Sequence, residues 1–163
     1  MQLGFSKLKF FTEIWLFDFE FQNAPGEQQY PICLVALEVI SGRIIRLFGN
    51  ELRSLTKPPY DIGEKSLFIA FYSSAEFNCH ISLGWGLPTH VIDLYAEFRV
   101  YTNGKPLPSG KGLIGALIYF GQDAVTVSEK KEMRDLAMRG GDYSDEEKVG
   151  LLDYCESDVV GLQ

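Results

Sequence analysis

The sequence predicts an α/β domain with a mixed central sheet, and three observations lead to this fold class. Strand patterns dominate the first half of the 163-residue chain, helical patterns dominate the second half, and one strand and one helix alternate between them. Such an order indicates helices packed against a mixed sheet. Because 46% of the residues are hydrophobic, we expect residues 1–163 to form one domain with a buried core.

The first predicted strand, Glu13–Phe21, carries the acidic residues of greatest interest. Apolar and acidic residues alternate in its second half. Since side chains alternate between the two faces of a strand, Asp18 and Glu20 point to the same face.

The next segments complete the predicted sheet. Strands at 32–38 and 43–48 flank Ser41-Gly42, a pair that favours a hairpin turn, so the sheet begins with three antiparallel strands. A nearly continuous apolar run at 67–72 is typical of an interior strand covered on both faces. A short strand at 91–92 follows.

Helical patterns fill most of the remaining chain. The predicted helices span 75–84, 113–120, 128–138 and 144 to the C-terminus. Ser73-Ser74 offers an N-cap to the first helix. Ser144, with Glu147 three residues later, predicts a capping box at the start of the last.

Composition excludes several classes of function. Uncharged apolar runs are far shorter than the ~20 residues that span a bilayer, and the N-terminus lacks the pattern of a signal peptide, so we expect a cytoplasmic protein without a membrane partner. The cysteines, Cys33, Cys79 and Cys155, match no zinc spacing. A net charge of −7 argues against a broad basic face that coats nucleic acid. This negative charge is compatible with a metal-dependent nuclease, because divalent cations invert the charge of a carboxylate site.

Two pairs of residues predict a site. Asp18 and Glu20 are costly to bury unless metal ions or hydrogen bonds compensate their charges. Tyr154 and Asp158 are four residues apart in a predicted helix, and therefore share one of its faces. Each pair alone is also compatible with a solvated surface, but together they favour a functional cluster.

These residues resemble two motifs of the DEDD (DnaQ-like) 3′–5′ exonuclease superfamily. WLFDFEF, at 15–21, resembles the first motif, Asp-x-Glu, and YCESD, at 154–158, resembles the third motif, Tyr-x-x-x-Asp. Position 153 is Asp, where the histidine branch would need His, so the chain resembles the tyrosine branch (DEDDy). The segments SAEF, LGWGLP and IDL extend the resemblance to the proofreading exonuclease domain of phage- and plasmid-type family A DNA polymerases.

The resemblance implies a ribonuclease H-like exonuclease fold and a 3′–5′ exonuclease that releases nucleoside 5′-monophosphates from single-stranded or frayed 3′ ends of DNA. Two Mg²⁺ or Mn²⁺ ions would be required. By resemblance, Asp18, Glu20 and Asp158 would bind the first ion, Asp18 would bridge to the second, and Tyr154 would orient the attacking water. The family's last helix usually runs on, so the resemblance is compatible with a stand-alone enzyme or with a chain truncated at its C-terminus, for which a polymerase domain would be the partner.

The second motif departs from the family pattern. Counting back from Trp85, the expected aspartate falls on Asn78, which carries no charge. Glu76 in the same helix, or Asp93 at the end of the next strand, could replace it, and the resemblance slightly favours Glu76. The alternative role of Asp93 is a strand-end cap.

Two other functions stay open at this point. A degenerate member of the fold would bind nucleic acid or a protein partner without cutting, as the replacement by Asn78 suggests. A ribonuclease D-like enzyme would act on RNA instead of DNA, since recognition of the 2′-hydroxyl leaves no readable motif.

Residues around the motifs have structural explanations. The aromatic side chains that alternate with the acidic ones are expected to pack in the core, with stacking on a terminal base as the alternative; they are Phe17, Phe19 and Phe21. The basic residues of the helix 128–138 are expected on a solvated face, with phosphate contacts as the alternative; they are Lys130, Lys131 and Arg134. His80 and His90 match no metal-ligand spacing.

Overall fold

The computed structural model describes residues 8–22, 26, 28–122 and 127–163, with backbone only at 127–129. It confirms the α/β fold class. The strands are β1 (Glu13–Gln22), β2 (Tyr30–Glu38), β3 (Ile44–Phe48), β4 (Ser66–Ala70) and β5 (His90–Asp93). The helices are α1 (Gly49–Arg53), α2 (Ser73–Ser82), α3 (Leu94–Tyr101), α4 (Leu113–Tyr119), α5 (Val127–Arg139) and α6 (Asp145–Val160). Within these ranges, no helix combines the length and apolarity needed to cross a membrane.

The five strands form one mixed sheet in the order β3-β2-β1-β4-β5. β1, β2 and β3 pair antiparallel, as predicted, whereas β4 runs parallel to both β1 and β5. β4 pairs with β1 only along Glu13–Leu16. The second half of β1 therefore extends past the end of β4, and it is this half that carries Asp18 and Glu20.

The two faces of β1 have different surroundings. Trp15, Phe17 and Phe19 are buried in a core cluster that includes residues of α1 and α2. Leu16 belongs to a second cluster on the opposite face, with residues of α5 and α6. Because side chains alternate along a strand, Asp18 and Glu20 share the face of Leu16. The sheet therefore presents both carboxylates towards α6.

The prediction that Ser73-Ser74 supplies the N-cap of α2 is wrong. β4 ends at Ala70, the turn residue Tyr72 has left-handed backbone (φ 77°), and neither serine side chain caps the helix. Instead, the amide N–H of Ser73 donates to Asp93 Oδ2 at 3.0 Å. The parallel pairing of β5 with β4 brings Asp93 to this turn, which local sequence could not reveal.

Helix α6 is anchored at its start and along its exposed face. The predicted capping box is confirmed, since the Ser144 hydroxyl and the Glu147 carboxylate each accept the other residue's amide N–H. Further along the helix, the guanidinium of Arg46 on β3 forms ion pairs with Asp153, at 2.6 Å, and with Glu156. These ion pairs connect α6 to β3 at the edge of the sheet.

The hairpin between β2 and β3 depends on a buried carboxylate. Glu38 accepts hydrogen bonds from the amide N–H groups of Ile14, Ile40 and Ser41 at 2.9, 3.1 and 2.6 Å. Burial alone raises the pKa of Glu38, but these hydrogen bonds outweigh it and lower the pKa below its ordinary value of 4.5. The charged form of Glu38 is therefore the one that the fold prefers.

We predict that Glu38→Gln lowers the free energy of unfolding by about 1–3 kcal/mol at pH 7, because one amide donor loses its charged acceptor. A lowered folded-state pKa stabilises the protein above the unfolded-state value and loses that effect as pH falls. The difference from the wild type should therefore shrink below pH ~4. Urea unfolding at pH 7 and pH 3.5 measures it, with the exposed Glu51→Gln as control. A pH-independent difference would contradict the prediction.

Candidate functional site

Three carboxylates meet beside the part of β1 that extends past β4. Asp18 and Glu20 come from β1, Asp158 comes from α6, and one oxygen of each lies within 4.8 Å of the others. Asp158 is buried and the other two are half-buried. Carboxylate oxygens are the ligands that Mg²⁺ and Mn²⁺ prefer. The residues predicted from the two sequence motifs thus occupy one place in the structure.

The carboxylates line a pocket of about 580 Å³. Tyr154, one helical turn before Asp158 and only 8% exposed, lines it too. Its position follows from α6, which buries Leu151, Cys155 and Val159 against the sheet. Tyr154 and Asp158 occupy the adjacent face of the helix and so reach the edge of β1.

A fourth carboxylate, Glu76, enters the pocket from α2. It is 3% exposed, and its Oε2 accepts a hydrogen bond of 2.8 Å from the amide N–H of Phe19. Phe19 lies between the two acidic residues of β1. Asn78, where the family pattern places the second-motif aspartate, is exposed and is not among the described residues that line the pocket.

Asp93 occupies a different environment. Its Oδ1 accepts from the amide N–H groups of Tyr72, Tyr95 and Ala96 at 3.3, 2.9 and 3.2 Å. Its Oδ2 accepts from the amide and the hydroxyl of Ser73 at 3.0 and 2.8 Å. Asp93 is not among the described pocket-lining residues. It joins the starts of α2 and α3, which is the cap role that sequence analysis gave as the alternative.

Burial and mutual repulsion disfavour the charged forms of the acidic groups. Burial, together with the charge of Asp158, raises the pKa of Asp18 from 3.8 to about 7. Burial and the charge of Asp18 hold the pKa values of Glu20 and Glu76 well above their ordinary value. A bound cation would remove this penalty. The donor set therefore fits a hard divalent cation.

The thiol of Cys155 is a neutral partner of this cluster. It donates to Asp18 Oδ2 at 3.3 Å and to the Asp18 carbonyl oxygen at 3.2 Å. Burial raises the pKa of Cys155 well above its ordinary value, so the thiol keeps its proton. The contact orients Asp18 and ties β1 to α6.

The phenol of Tyr154 also stays protonated. Burial, followed by the charges of Asp158, Glu20 and Asp18, raises its pKa above the ordinary value of 10. A phenol that holds its proton at neutral pH is a hydrogen-bond donor and a poor general base. The phenol can therefore donate a hydrogen bond to a neighbouring group.

The basic residues of α5 differ from one another. Lys130 Nζ lies 2.6 Å from Asp158 Oδ2 and 5.5 Å from the centre of the Tyr154 ring. Arg134 lines the pocket, whereas Lys131 is exposed and is not among its described lining residues. The prediction of a solvated position is confirmed for Lys131. It is wrong for Lys130, because α6 brings the Asp158 carboxylate next to this lysine.

Three aromatic residues of the pocket, Phe71, Tyr72 and Tyr95, were missed by sequence analysis. Tyr72 and Tyr95 line it with their rings in edge contact, 5.1 Å between centroids. The backbone amides of both tyrosines donate to Asp93, so recognising Asp93 as a cap would have pointed to them. Phe17 and Phe19 are core residues, as expected. Phe21 packs against the core and also lines the pocket.

The two histidines lie away from the pocket. His80 is fully buried; its Nε2 is 2.8 Å from the Tyr60 hydroxyl, and its Nδ1 is 2.8 Å from the Gly86 carbonyl oxygen. His90 Nε2 is 3.1 Å from a carboxylate oxygen of Glu64. All three contacts are structural.

Comparison with solved structures shows the fold. Escherichia coli RNase D, described as an exoribonuclease involved in structured RNA processing, matches 95% of this chain with a TM-score of 0.57 at 11% identity. This chain spans 38% of the RNase D chain. A nuclease solved in its apo form matches 98% of this chain, and 72% of its own, with a TM-score of 0.59 at 13% identity. No family model and no curated protein matches the sequence. The chain has a ribonuclease H-like exonuclease fold.

We predict that Asp18→Asn stabilises the metal-free protein at pH 8. The pKa of Asp18 is about 7 in the fold and near 3.8 when unfolded, so the folded state binds more protons between these values. The free energy of unfolding therefore falls as pH rises through this window. Removing the charge should add on the order of 1–3 kcal/mol at pH 8.

Thermal unfolding in EDTA at pH 8 and pH 4 measures this effect. The variant and the wild type should differ at pH 8 and converge at pH 4, where Asp18 is protonated. Asp135→Asn, an exposed carboxylate of α5, is the control. A lower unfolding temperature for Asp18→Asn at pH 8 would contradict the repulsion described above.

Proposed function

We propose that the protein is a metal-dependent 3′–5′ exonuclease of the tyrosine branch, which releases nucleoside 5′-monophosphates from 3′ ends of nucleic acid. The observation that carries the proposal is the meeting of three carboxylates within 4.8 Å beside a buried tyrosine. These residues come from the two motifs that resemble the DEDD superfamily. The ribonuclease H-like exonuclease fold supports the same function.

Asp18, Glu20 and Asp158 would hold Mg²⁺ or Mn²⁺, and Glu76 would support a second ion. When bound, the ions supply Lewis-acid stabilisation of the reacting phosphate and activate the attacking water. Glu76 uses one oxygen for the Phe19 amide, which holds it beside β1. We assign the second-motif role to Glu76 and a positioning role to Asp93, whose two oxygens already accept five hydrogen bonds.

Tyr154 would donate its hydroxyl proton in a hydrogen bond that orients the attacking water. Its ring is held by burial, and the raised pKa of the phenol keeps the donor present at neutral pH. Orientation of this kind raises the rate without proton transfer to the side chain.

The pocket suits the end of a single strand. Tyr72 is 52% exposed, its ring contacts that of Tyr95, and Phe21 lines the same pocket, so aromatic surface is available for stacking on a terminal base. Arg134 supplies positive charge for phosphate at the same pocket. Stacking and phosphate contacts are tolerant of sequence, as an exonuclease requires.

DNA and RNA are both candidate substrates. The resemblance to proofreading domains of family A polymerases favours DNA and a polymerase domain as partner. The similarity to RNase D favours RNA as a second candidate. The pocket residues bind features that the two polymers share, so the choice depends on direct comparison.

The proposed activity is tested with 5′-labelled single-stranded DNA and RNA of the same sequence, incubated with Mg²⁺ or Mn²⁺. We expect a ladder shortened from the 3′ end, with nucleoside 5′-monophosphates as products. EDTA and Asp18→Ala should each abolish it. Binding of the strands by a folded, metal-loaded protein without shortening would instead support the non-cutting binding module.

We predict opposite behaviour for Glu76→Gln and Asp93→Ala. The first removes a repelled charge but keeps an oxygen for the Phe19 amide, so activity should fall at least about 100-fold while the unfolding temperature is kept or raised. The second removes all the acceptors that cap α2 and α3, so it should lower the free energy of unfolding by about 1–3 kcal/mol. Metal-dependent digestion and thermal unfolding in EDTA measure both. A stable, inactive Asp93→Ala with an active Glu76→Gln would reverse the assignment.

A further inference from the structure

We propose that Lys130 is a resident cation of the carboxylate site that exchanges with a divalent metal ion at Asp158. In the metal-free protein its ammonium group neutralises part of the cluster, and a metal ion that enters the site displaces it from Asp158. The inference rests on the proposed function only in taking Asp18, Glu20 and Asp158 as the metal ligands.

The contact between Lys130 and Asp158 differs from an ordinary surface ion pair. The two charged atoms lie 2.6 Å apart, and the side chains are only 29% and 9% exposed. The Lys130 ammonium also lies 5.5 Å from the centre of the Tyr154 ring. Limited access to water strengthens this pair, and one of its members belongs to the predicted metal site.

The charge of Lys130 acts on the whole cluster. Besides pairing with Asp158, it interacts electrostatically with Asp18 and with Glu20. Four carboxylates line the pocket, and they repel one another. Without metal, the ammonium group is therefore a counter-charge that stabilises their arrangement.

The Lys130 ammonium group and a divalent ion compete for the Asp158 carboxylate. Lys130 pairs with Asp158 Oδ2, and one carboxylate oxygen of Asp158 lies within 4.8 Å of ligand oxygens of Asp18 and Glu20. An ammonium group and a divalent ion bound to the same carboxylate repel each other. Because lysine carries its charge on a flexible four-carbon chain, Lys130 is the member of the pair that moves.

Three consequences distinguish exchange from a merely structural ion pair. Loss of the Lys130 charge should lower the unfolding temperature in EDTA, because the cluster loses its counter-charge. Saturating Mn²⁺ should abolish that deficit, because the metal ion replaces the counter-charge. The affinity for Mn²⁺ should increase, because its competitor is gone.

The test compares Lys130→Met with Lys131→Met, an adjacent exposed lysine, using calorimetric titration of the full chain with Mn²⁺ and thermal unfolding with and without the ion. We expect Lys130→Met to bind Mn²⁺ about tenfold more tightly than the wild type, and Lys131→Met to match the wild type. Lys130→Arg keeps the charge and should restore the wild-type Kd and the unfolding temperature in EDTA.

An unchanged or weaker affinity in a folded Lys130→Met would overturn the exchange. So would a deficit in unfolding temperature that persists at saturating Mn²⁺. If the wild type and every variant fail to bind Mn²⁺, the exchange and the proposed nuclease both fail. Tighter binding by Lys130→Met in a protein that cuts neither DNA nor RNA supports the exchange and overturns only the proposed nuclease.

Discussion

Carboxylates held close together in a half-buried pocket repel one another, and this repulsion is the constraint on which the rest of the structure depends. Asp18, Glu20 and Asp158 approach within 4.8 Å, and Glu76 lines the same pocket. Such a cluster costs folding free energy in the metal-free state. The surrounding fold has to supply enough stability elsewhere to hold the groups in place.

The two sides of the cluster are held by different means. β1 lies inside the sheet, with β2 on one side and β4 on the other, and its apolar residues are buried on both faces. Helix α6 is held by its capping box, its apolar contacts with the sheet and the ion pairs of Arg46. The Cys155 thiol connects the two elements at Asp18 itself. Together with the ion pair of Lys130 and Asp158, these contacts place the acidic groups.

Local patterns predicted most of the fold. The alternation in β1, the hairpin and the capping box of α6 each depend on residues close together in sequence, so the sequence was sufficient to predict them. Helices α1 and α3 were not identified individually. α1 is only five residues long. α3 begins at a cap formed by Asp93, and from sequence this residue could equally be a metal-site carboxylate.

The second-motif residue could not be chosen from sequence for a similar reason. Glu76 receives its hydrogen bond from Phe19, 57 residues earlier, and Asp93 accepts from Tyr72 and Ser73, about 20 residues earlier. Both environments arise from the pairing of distant strands and helices. Lys130 shows the same limit, because its partner Asp158 lies 28 residues further along the chain. Tertiary contacts decide which charged residues are solvated and which enter the pocket.

The separation of Asp18 from Cys155, 137 residues apart, has a consequence for the protein during its synthesis. A growing chain that has formed β1 and its neighbours still lacks Tyr154 and Asp158, so the carboxylate site is incomplete until α6 leaves the ribosome and docks. Any hydrolytic activity of the cluster therefore arises only after α6 has docked against β1.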